Sequence, residues 1–271
     1  MVYVHRKIGG KEDFEIFDMA RERGFNVLLS GPTGAAKTMS GREYAKSRGL
    51  DYTKVSCSVS VDPTSLFGRY VPTEDGFKWQ DGTITACMRK GEGVLCLDEI
   101  NMMHPKVSAS LFSLLDSSGH ITLLDNDSEV VDRPDGLLIV ATMNPHYAGT
   151  MKLNAAFLNR FPIIVNWDYD SRVERQLVKS PTLLKTVNNW RNAGEIQSPL
   201  STNMMMEFEE ISGLLGIEVA ILSFVQHIEE SQRADVVSTL HTIKGAISKE
   251  LFGEVERKPR ASAPTMKNLG W

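Results

Sequence analysis

One short segment constrains the fold of this chain more than any other part of the sequence. Residues 28–38 read Leu-Leu-Ser-Gly-Pro-Thr-Gly-Ala-Ala-Lys-Thr, an apolar strand followed by a glycine-containing loop and the start of a helix. A loop between a buried strand and a helix N-terminus directs backbone N–H groups toward one point, and this arrangement binds phosphate groups. The segment therefore predicts a strand–loop–helix unit within an α/β fold.

The candidate phosphate-binding residues are eight consecutive positions. Lys37 supplies a positive charge for the phosphates of a nucleotide, and the hydroxyl of Thr38 is placed to bind Mg²⁺. The loop departs from the usual pattern at Ala36, because a glycine normally precedes the lysine where the backbone passes close to the phosphates. Taken alone, the loop could also be a glycine-rich turn without a ligand. The predicted nucleotide-binding residues are Gly31, Pro32, Thr33, Gly34, Ala35, Ala36, Lys37 and Thr38.

A second apolar run, residues 94–97, ends in the carboxylates of Asp98 and Glu99. Beside a phosphate loop, the first acid is placed to hold Mg²⁺ through water and the second to polarise an attacking water. A solvated turn is the alternative for this motif by itself. Together the two motifs predict binding and hydrolysis of a nucleoside triphosphate, with ATP and Mg²⁺ as ligands and with Thr38 and Asp98 at the metal.

A third apolar run, residues 137–142, leads to Asn144 and Pro145. An amide at the tip of that strand could orient the water or contact the terminal phosphate. A turn-forming asparagine before proline is the alternative interpretation. Asn144 is therefore a third candidate catalytic residue, and it needs the first two motifs beside it.

The pattern along the chain predicts a central parallel sheet. Short segments bounded by Gly, Pro or Asp, most of them nearly continuous apolar runs, alternate with helix-like stretches, which is typical of strands buried on both faces. Two further segments, residues 70–79 and 120–131, each carry a turn sequence between β-prone residues and predict β-hairpins. The predicted strands of the central sheet are residues 26–30, 53–56, 94–97, 137–142 and 161–165.

The strand signals stop after residue 169, and amphipathic helices follow. The sequence therefore predicts a nucleotide-binding α/β domain over residues 1–169 and a small α-helical lid domain over residues 170–252. Residues 253–271 lack periodicity and are expected to form a flexible tail. ATP is expected to bind between the two domains and against a neighbouring subunit.

Composition and charge argue against several other classes of protein. A net charge of −4 gives no general attraction to nucleic acid or anionic lipid, so a dedicated nucleic-acid binder is disfavoured. The first 11 residues are too polar for a signal peptide, and no apolar run is long enough to cross a bilayer. A soluble, cytoplasmic protein without membrane contact is expected.

The motifs carry a family resemblance. The loop at 31–38, Asp-Glu-Ile-Asn at 98–101, Ala-Thr-Met-Asn-Pro at 141–145 and Leu-Asn-Arg-Phe at 158–161 resemble the AAA+ ATPases, a family of P-loop NTPases. More narrowly they resemble the MoxR, CobS and dynein-related branch, which carries hairpin inserts where two are predicted here. The resemblance covers roughly residues 3–167, and beyond that it implies only a helical lid.

The resemblance assigns further roles. It implies that Asn144 is sensor 1 and that Arg160 is the arginine finger, which reaches the ATP site of a neighbouring subunit in a hexameric ring. An exposed arginine at a helix end is the alternative for Arg160. Two departures stand out: Asn159 replaces the usual aspartate before the finger, and Leu200 and Asn203 occupy the segment where a sensor 2 arginine is expected.

The same resemblance suggests what the protein does. It implies an ATP-driven motor that remodels or activates a partner protein, in the manner of MoxR-like chaperones that work with a von Willebrand A domain protein. Residues 118–125 favour a CobS-like subunit of a cobalt chelatase, which would bind a large catalytic subunit. A weakly hydrolysing nucleotide-dependent scaffold is a third hypothesis, motivated by Ala36 and the missing sensor 2 arginine. A GTP-driven motor of a DNA-restriction complex is a fourth, which a preference for GTP would distinguish.

Overall fold

The computed structural model describes residues 3–145 and 150–253, and these residues form two compact units. Within the described ranges, the first unit runs to Leu177 and includes Pro199–Met204; the second contains Val178–Ser198 and residues 205–253. The domain bounds at residues 169 and 252 stay predictions about how the chain is organised. The predicted tail lies outside the described residues from position 254 onward.

The first unit is built on a parallel sheet of five strands, as the sequence predicts. Its strands are β3 (Val27–Ser30), β4 (Asp51–Ser56), β7 (Gly93–Asp98), β10 (Leu137–Met143) and β11 (Ile163–Asn166). Each predicted strand is confirmed, with its ends shifted by at most two residues. The strand order is β11–β3–β10–β7–β4, and every neighbouring pair is parallel.

Both faces of the sheet are buried along its three central strands, β3, β7 and β10, which explains their continuous apolar runs. Along β10, Ile139 and Ala141 belong to one core, while Leu138 and Val140 belong to the other. Since successive strand side chains point to opposite faces, an apolar residue is needed at every position. The carboxyl ends of β3, β7 and β10 lie side by side, so the three motifs that follow them meet at one edge.

Helices cover the two faces. α1 (Asp13–Arg23) and α2 (Lys37–Arg48) supply Phe17 and Tyr44 to one core. The other core is filled from α4 (Thr83–Lys90), α5 (Pro105–Ser110) and α6 (Phe112–Leu115). The unit is completed by α3 (Pro63–Phe67), a 3-10 helix (Ile100–Met102), α7 (Ala155–Leu158) and α8 (Ser171–Leu177).

Both predicted hairpins are present. The first pairs β5 (Gly68–Thr73) with β6 (Gly76–Asp81), and the second pairs β8 (His120–Leu123) with β9 (Glu129–Asp132). The two hairpins touch, because the Tyr70 hydroxyl donates to Asn126 Oδ1 at 3.2 Å. A third hairpin of two-residue strands, β1 (Lys7–Ile8) and β2 (Lys11–Glu12), is too short for sequence periodicity to predict.

The described part of the second unit is helical. It contains α9 (Pro181–Ala193), α11 (Ile217–Gln226), α12 (Glu230–Phe252) and most of α10 (Thr202–Leu215), whose first three residues belong to the first unit. Ser180 caps α9, and its hydroxyl donates to Glu250 of α12 at 2.5 Å. This ties the first and last helices of the unit together.

The three cysteines are buried and free. Cys57, Cys87 and Cys96 are 2%, 6% and 0% exposed, and all lie in the first unit. Burial raises the pKa of each thiol, that of Cys96 to about 12. They act as small apolar residues of the core.

Candidate functional site

The phosphate-type loop joins the end of β3 to the start of α2, and its glycines have no room for a side chain. A Cβ on Gly31 would lie 2.0 Å from the backbone oxygen of Trp167. A Cβ on Gly34 would lie 2.5 Å from Cβ of Ser201, and Gly34 also has a φ of 67°. Glycine is therefore required at both positions by contact, and at Gly34 also by backbone conformation.

Ala36 adopts a conformation that glycine would adopt more easily. Its φ is 64° and its ψ 25°, in the left-handed region, directly before the first residue of α2. For a residue with a Cβ this conformation costs on the order of 1–2 kcal/mol. The departure seen in the sequence is thus a source of backbone strain.

Lys37 is almost enclosed, with 9% of its surface exposed. Its Nζ donates to the carbonyl oxygens of Gly31 and Pro32 at 2.7 and 2.6 Å. Burial lowers the pKa of Lys37 to about 8, although the charges of Asp98 and Glu99 act in the opposite direction. The side chain is thus folded back over its own loop, with a weakly held proton.

Asp98 is the centre of a polar cluster at the end of β7. Its Oδ1 accepts from the hydroxyls of Thr38 at 2.5 Å and Thr142 at 2.7 Å, and its Oδ2 lies 2.7 Å from Nζ of Lys54. Burial acts to raise the pKa of Asp98, but the hydrogen bonds from Lys54, Thr38 and Thr142 outweigh it and hold the pKa below its usual range. The carboxylate is therefore charged at neutral pH.

Glu99 follows in an unusual backbone conformation, with φ 57° and ψ 47°. Its backbone N–H donates to the Thr142 hydroxyl at 3.0 Å, while its side chain is exposed. Thr142 is fully buried and so links the two acids, accepting from the backbone of one and donating to the side chain of the other. Strained non-glycine residues concentrate at functional sites, which fits the predicted role of Glu99.

Asn144 lies just beyond the end of β10, at the same edge. The side-chain amide of Asn101 donates to the backbone carbonyl of Asn144 at 2.9 Å, and Asn101 is 3% exposed. The backbone carbonyl of Asn101 in turn accepts from Met151 N at 2.8 Å. Asn101 therefore fixes the strand tip that carries Asn144.

These residues surround one cavity of about 250 Å³, all within the first unit. Its walls include five of the eight predicted loop residues, both acids and Asn144. Asn203 also lines it, whereas Leu200 is buried in the core. The lining residues are Thr33, Gly34, Ala36, Lys37, Thr38, Met39, Asp98, Glu99, Thr142, Asn144 and Asn203.

The cavity suits the phosphates of a nucleoside triphosphate with Mg²⁺. A Cβ at Gly31 or Gly34 would collide with neighbouring atoms, so the backbone path of the loop depends on glycine there, and Lys37 supplies a buried cation. The hydroxyl of Thr38 and the carboxylate of Asp98 are in direct contact and are oxygen ligands of the kind Mg²⁺ prefers. Among residues 3–145 and 150–253, no group of three or more His, Cys, Asp or Glu could hold a metal. Mg²⁺ would therefore take further ligands from phosphates and water.

Arg160 does not lie at this cavity. It lines a separate cleft of about 980 Å³, together with Asn26 and Leu137, which immediately precede or begin strands of the sheet. Its guanidinium stacks over Phe112, with Cζ 4.2 Å from the centroid of the ring, and its Nη2 lies 3.4 Å from Oδ2 of Asp116. Of the predicted site residues, Gly31, Pro32 and Ala35 belong to the loop but do not line the cavity. Arg160 lies apart from the cavity, beyond the opposite ends of the strands.

Sequence reasoning missed Lys54, Thr142 and Asn101. Thr142 and Asn101 lie inside the quoted motifs, so their proximity to the acids could have been predicted from the parallel alignment of strand ends. Lys54 carries no such signal, because a lysine in an edge strand usually points to solvent. Its contact with Asp98 follows from the register that pairs Ser56 with Asp98 in neighbouring strands.

A model of the AAA domain, dynein-related subfamily, matches residues 26–161. This range contains the loop, both acids, Asn144 and Arg160. It spans half of the chain.

Related chains occur in staphylococci. An uncharacterized protein of Staphylococcus epidermidis is 29% identical over 238 residues, which are 86% of this chain and 87% of the relative. An uncharacterized protein of Staphylococcus aureus strain USA300 is 31% identical over 176 residues, 63% of this chain and 64% of the relative. The crystal structure of a candidate ATPase from Cytophaga hutchinsonii aligns with 18% identity and a TM-score of 0.48, covering 83% of this chain and 79% of that one.

Within the described residues, no helix has the length and apolar character to cross a membrane.

Proposed function

We propose that this chain, which belongs to the AAA domain family in its dynein-related subfamily, is an ATP-hydrolysing subunit of a ring that remodels a partner protein. One observation carries the proposal. Lys37, Thr38, Asp98, Glu99 and Asn144 come from three separated segments and line a single cavity. Such a set supplies a phosphate-binding cation, metal ligands and a base together.

Each side chain has a distinct task in this proposal. The loop N–H groups and Lys37 bind the phosphates, while Thr38 and Asp98 hold Mg²⁺. Glu99 accepts a proton from water, and Asn144 orients that water. ATP, when bound with Mg²⁺, supplies the phosphoanhydride bond whose hydrolysis drives movement. Lys54 and Thr142 keep Asp98 charged and correctly turned.

Arg160 makes the proposed site a shared one. Its distance from the cavity of its own chain suits a residue that stabilises charge in the site of a neighbour. Closed rings of identical subunits place each such residue at the next subunit's site. We therefore propose a homo-oligomer, with six subunits as the family expectation.

The partner is proposed from the resemblance to MoxR-like proteins, as a protein with a von Willebrand A domain. The CobS-like alternative, with a large chelatase subunit as partner, rests on the sequence of residues 118–125. Those residues cover the last two positions before β8, β8 itself and the start of the turn after it. Both versions use the same ATP site.

A nucleotide-dependent scaffold is the second candidate function, and the backbone of Ala36 favours it. The strain at this residue, together with Leu200 and Asn203 in place of a sensor 2 arginine, could leave binding intact and slow hydrolysis. Such a protein would assemble with ATP and turn over little. The two candidates differ in the rate of hydrolysis, which can be measured directly.

The test is steady-state ATP hydrolysis across protein concentration, for the wild type, Glu99→Gln and Arg160→Ala. Turnover per subunit should rise with concentration as shared sites form. Each substitution should lower turnover on the order of 10²-fold or more while ATP binding persists, because each removes a contribution to the transition state alone.

Matched controls are Glu210→Gln and Arg175→Ala, at exposed positions outside the cavity. Both should hydrolyse ATP at the wild-type rate. If the wild type binds ATP and hydrolyses it no faster than Glu99→Gln, with or without candidate partners, the scaffold replaces the motor. A preference for GTP over ATP would favour the restriction-type motor instead.

A further inference from the structure

The back of the phosphate loop is held by side chains that neither the motif nor the proposed chemistry includes. The carbonyl oxygen of Ala35 accepts two hydrogen bonds, from Arg6 Nη2 at 2.9 Å and from Trp167 Nε1 at 2.8 Å. A second carbonyl of the same loop is also held, because the carbonyl oxygen of Thr33 accepts a hydrogen bond from the Tyr169 hydroxyl at 2.8 Å. All of these residues belong to the first unit.

The two donors to Ala35 support one another. The guanidinium of Arg6 lies over the ring of Trp167, 4.9 Å from its centroid, and also donates to the Asp168 carbonyl. Arg6 is 8% exposed and Trp167 is 1% exposed. Burial lowers the pKa of Arg6, with the nearby charges of Asp170, Asp13 and Glu174 acting against it. A buried, stacked pair of this kind has little freedom to turn away.

Holding the Ala35 carbonyl fixes the next N–H group. The peptide between Ala35 and Ala36 is planar and trans, so its C=O and N–H point in opposite directions. With the carbonyl bound by Arg6 and Trp167, the N–H of Ala36 points away from them. Ala36 lines the cavity whereas Ala35 does not. The two donors therefore set the direction of a backbone N–H at the proposed phosphate site.

This orientation is the strained one. Ala36 has its φ of 64° only while this peptide keeps its present direction, and rotation of the peptide would let φ return to negative values. The favoured conformation of alanine and the orientation needed for phosphate binding are thus in conflict. The hydrogen bonds to Ala35 act against the relaxation of the loop.

We infer that Arg6 and Trp167 are positioning residues of the phosphate loop, which hold the Ala35–Ala36 peptide turned for phosphate binding against the strain of a non-glycine residue at position 36. The inference rests on the proposed ATP site. It assigns a specific dependence: the loop needs these donors because residue 36 is alanine. A chain with glycine at this position would need them much less.

The test is a double-mutant cycle between Trp167→Phe and Ala36→Gly, made in the Glu99→Gln background so that ATP is not consumed. The Kd for Mg–ATP is measured by displacement of a fluorescent nucleotide. With the native Ala36, Trp167→Phe should weaken binding by about five- to thirtyfold, the factor that corresponds to a left-handed alanine. When Ala36→Gly is also present, the same substitution should weaken binding by less than about threefold.

A second readout needs no nucleotide. The unfolding midpoint of the free protein should fall less when Trp167→Phe is made with the native Ala36 than when it is combined with Ala36→Gly. Only the alanine loop gains by relaxing once the donor is removed. Trp167→Phe should therefore have its larger effect on the Kd when residue 36 is alanine, and its larger effect on the unfolding midpoint when residue 36 is glycine. A general loss of packing at Trp167 does not produce this opposite dependence.

The control is Trp79→Phe, which removes the indole donor to Asp81 in the first hairpin and should leave the Kd within about twofold in both backgrounds. Arg6→Lys, which keeps the charge but cannot bridge the Ala35 and Asp168 carbonyls, replaces Trp167→Phe if that variant does not fold. Equal weakening with and without Ala36→Gly overturns the inference. Failure of the parent protein to bind Mg–ATP would reject the proposed function instead.

Discussion

Lys37 shows how a single side chain is prepared for an anionic ligand. Its ammonium is enclosed by the carbonyls of Gly31 and Pro32, which are dipoles and not full charges. Burial lowers its pKa to about 8, while Asp98 and Glu99 act to raise the pKa and Arg6 to lower it. The positive charge is therefore only partly compensated, and an incoming phosphate would stabilise it.

This arrangement predicts that ATP binding depends on pH. Below the pKa of about 8, Lys37 is protonated and attracts phosphate; above it the free protein holds a neutral amine and must take up a proton to bind well. The Kd for ATP should therefore rise with pH between about 7.5 and 9.5, approaching about tenfold per pH unit well above the pKa. Titration calorimetry at several pH values measures this.

Lys37→Arg provides the comparison, because a guanidinium stays charged over the whole range. Its affinity should be lower than that of the wild type, since its geometry differs, but nearly constant with pH. A wild-type Kd that stays constant over the same pH range would contradict the role given to the lysine charge.

At the scale of elements, β3 connects two polar networks. The loop follows its carboxyl end, and Asn26 precedes its first residue. The Asn26 amide donates to the carbonyls of Leu115 at 2.8 Å and Arg160 at 2.7 Å, and its Oδ1 accepts from Arg133 at 2.7 Å. Asn26 is 3% exposed. One side chain thus holds the segment that carries the proposed arginine finger.

Asn26→Ala should destabilise the protein by about 2–4 kcal/mol, because it removes the hydrogen bonds that Asn26 makes to two carbonyls and to the Arg133 guanidinium. Urea unfolding measures the change. Asn189→Ala, at an exposed position of α9, should change the free energy of unfolding by less than about 0.5 kcal/mol. A loss below about 1 kcal/mol at Asn26 would mean that water or rearrangement replaces the three hydrogen bonds.

The elements also show what sequence can reveal. The three central strands were predictable because strands buried on both faces need an apolar residue at nearly every position. The first hairpin was predictable because Asp75-Gly76 marks its turn. The meeting of the three motifs followed from the parallel strand ends. The contacts of Asn26, Arg6 and Trp167 did not, because each joins residues distant in the sequence through a single side chain. Periodicity does not encode such pairings.

At the scale of the whole molecule, the proposed division of each site between two subunits makes a specific prediction about mixtures. Lys37→Ala subunits lack a competent loop but keep Arg160, whereas Arg160→Ala subunits have the opposite defect. Each should be inactive alone. In an equimolar mixture, about one quarter of randomly formed interfaces would combine an intact cavity with an intact arginine, and ATPase activity should return to that level.

A control mixture of Lys37→Ala with Glu99→Gln subunits should stay inactive, since neither subunit has an intact cavity. Activity in the first mixture but not the second would support sharing between subunits. If neither mixture regains activity although the subunits assemble together, Arg160 does not act on a neighbour.

The burial of the cysteines affects how the movements proposed to follow ATP hydrolysis could be observed. Each native thiol is enclosed in the core of the first unit, and its raised pKa leaves almost no reactive thiolate at neutral pH. A single cysteine introduced on the surface would therefore react with a maleimide dye far faster than the native ones. The wild-type chain already offers a background on which fluorescent probes can be placed one at a time, without first removing any residue from the core.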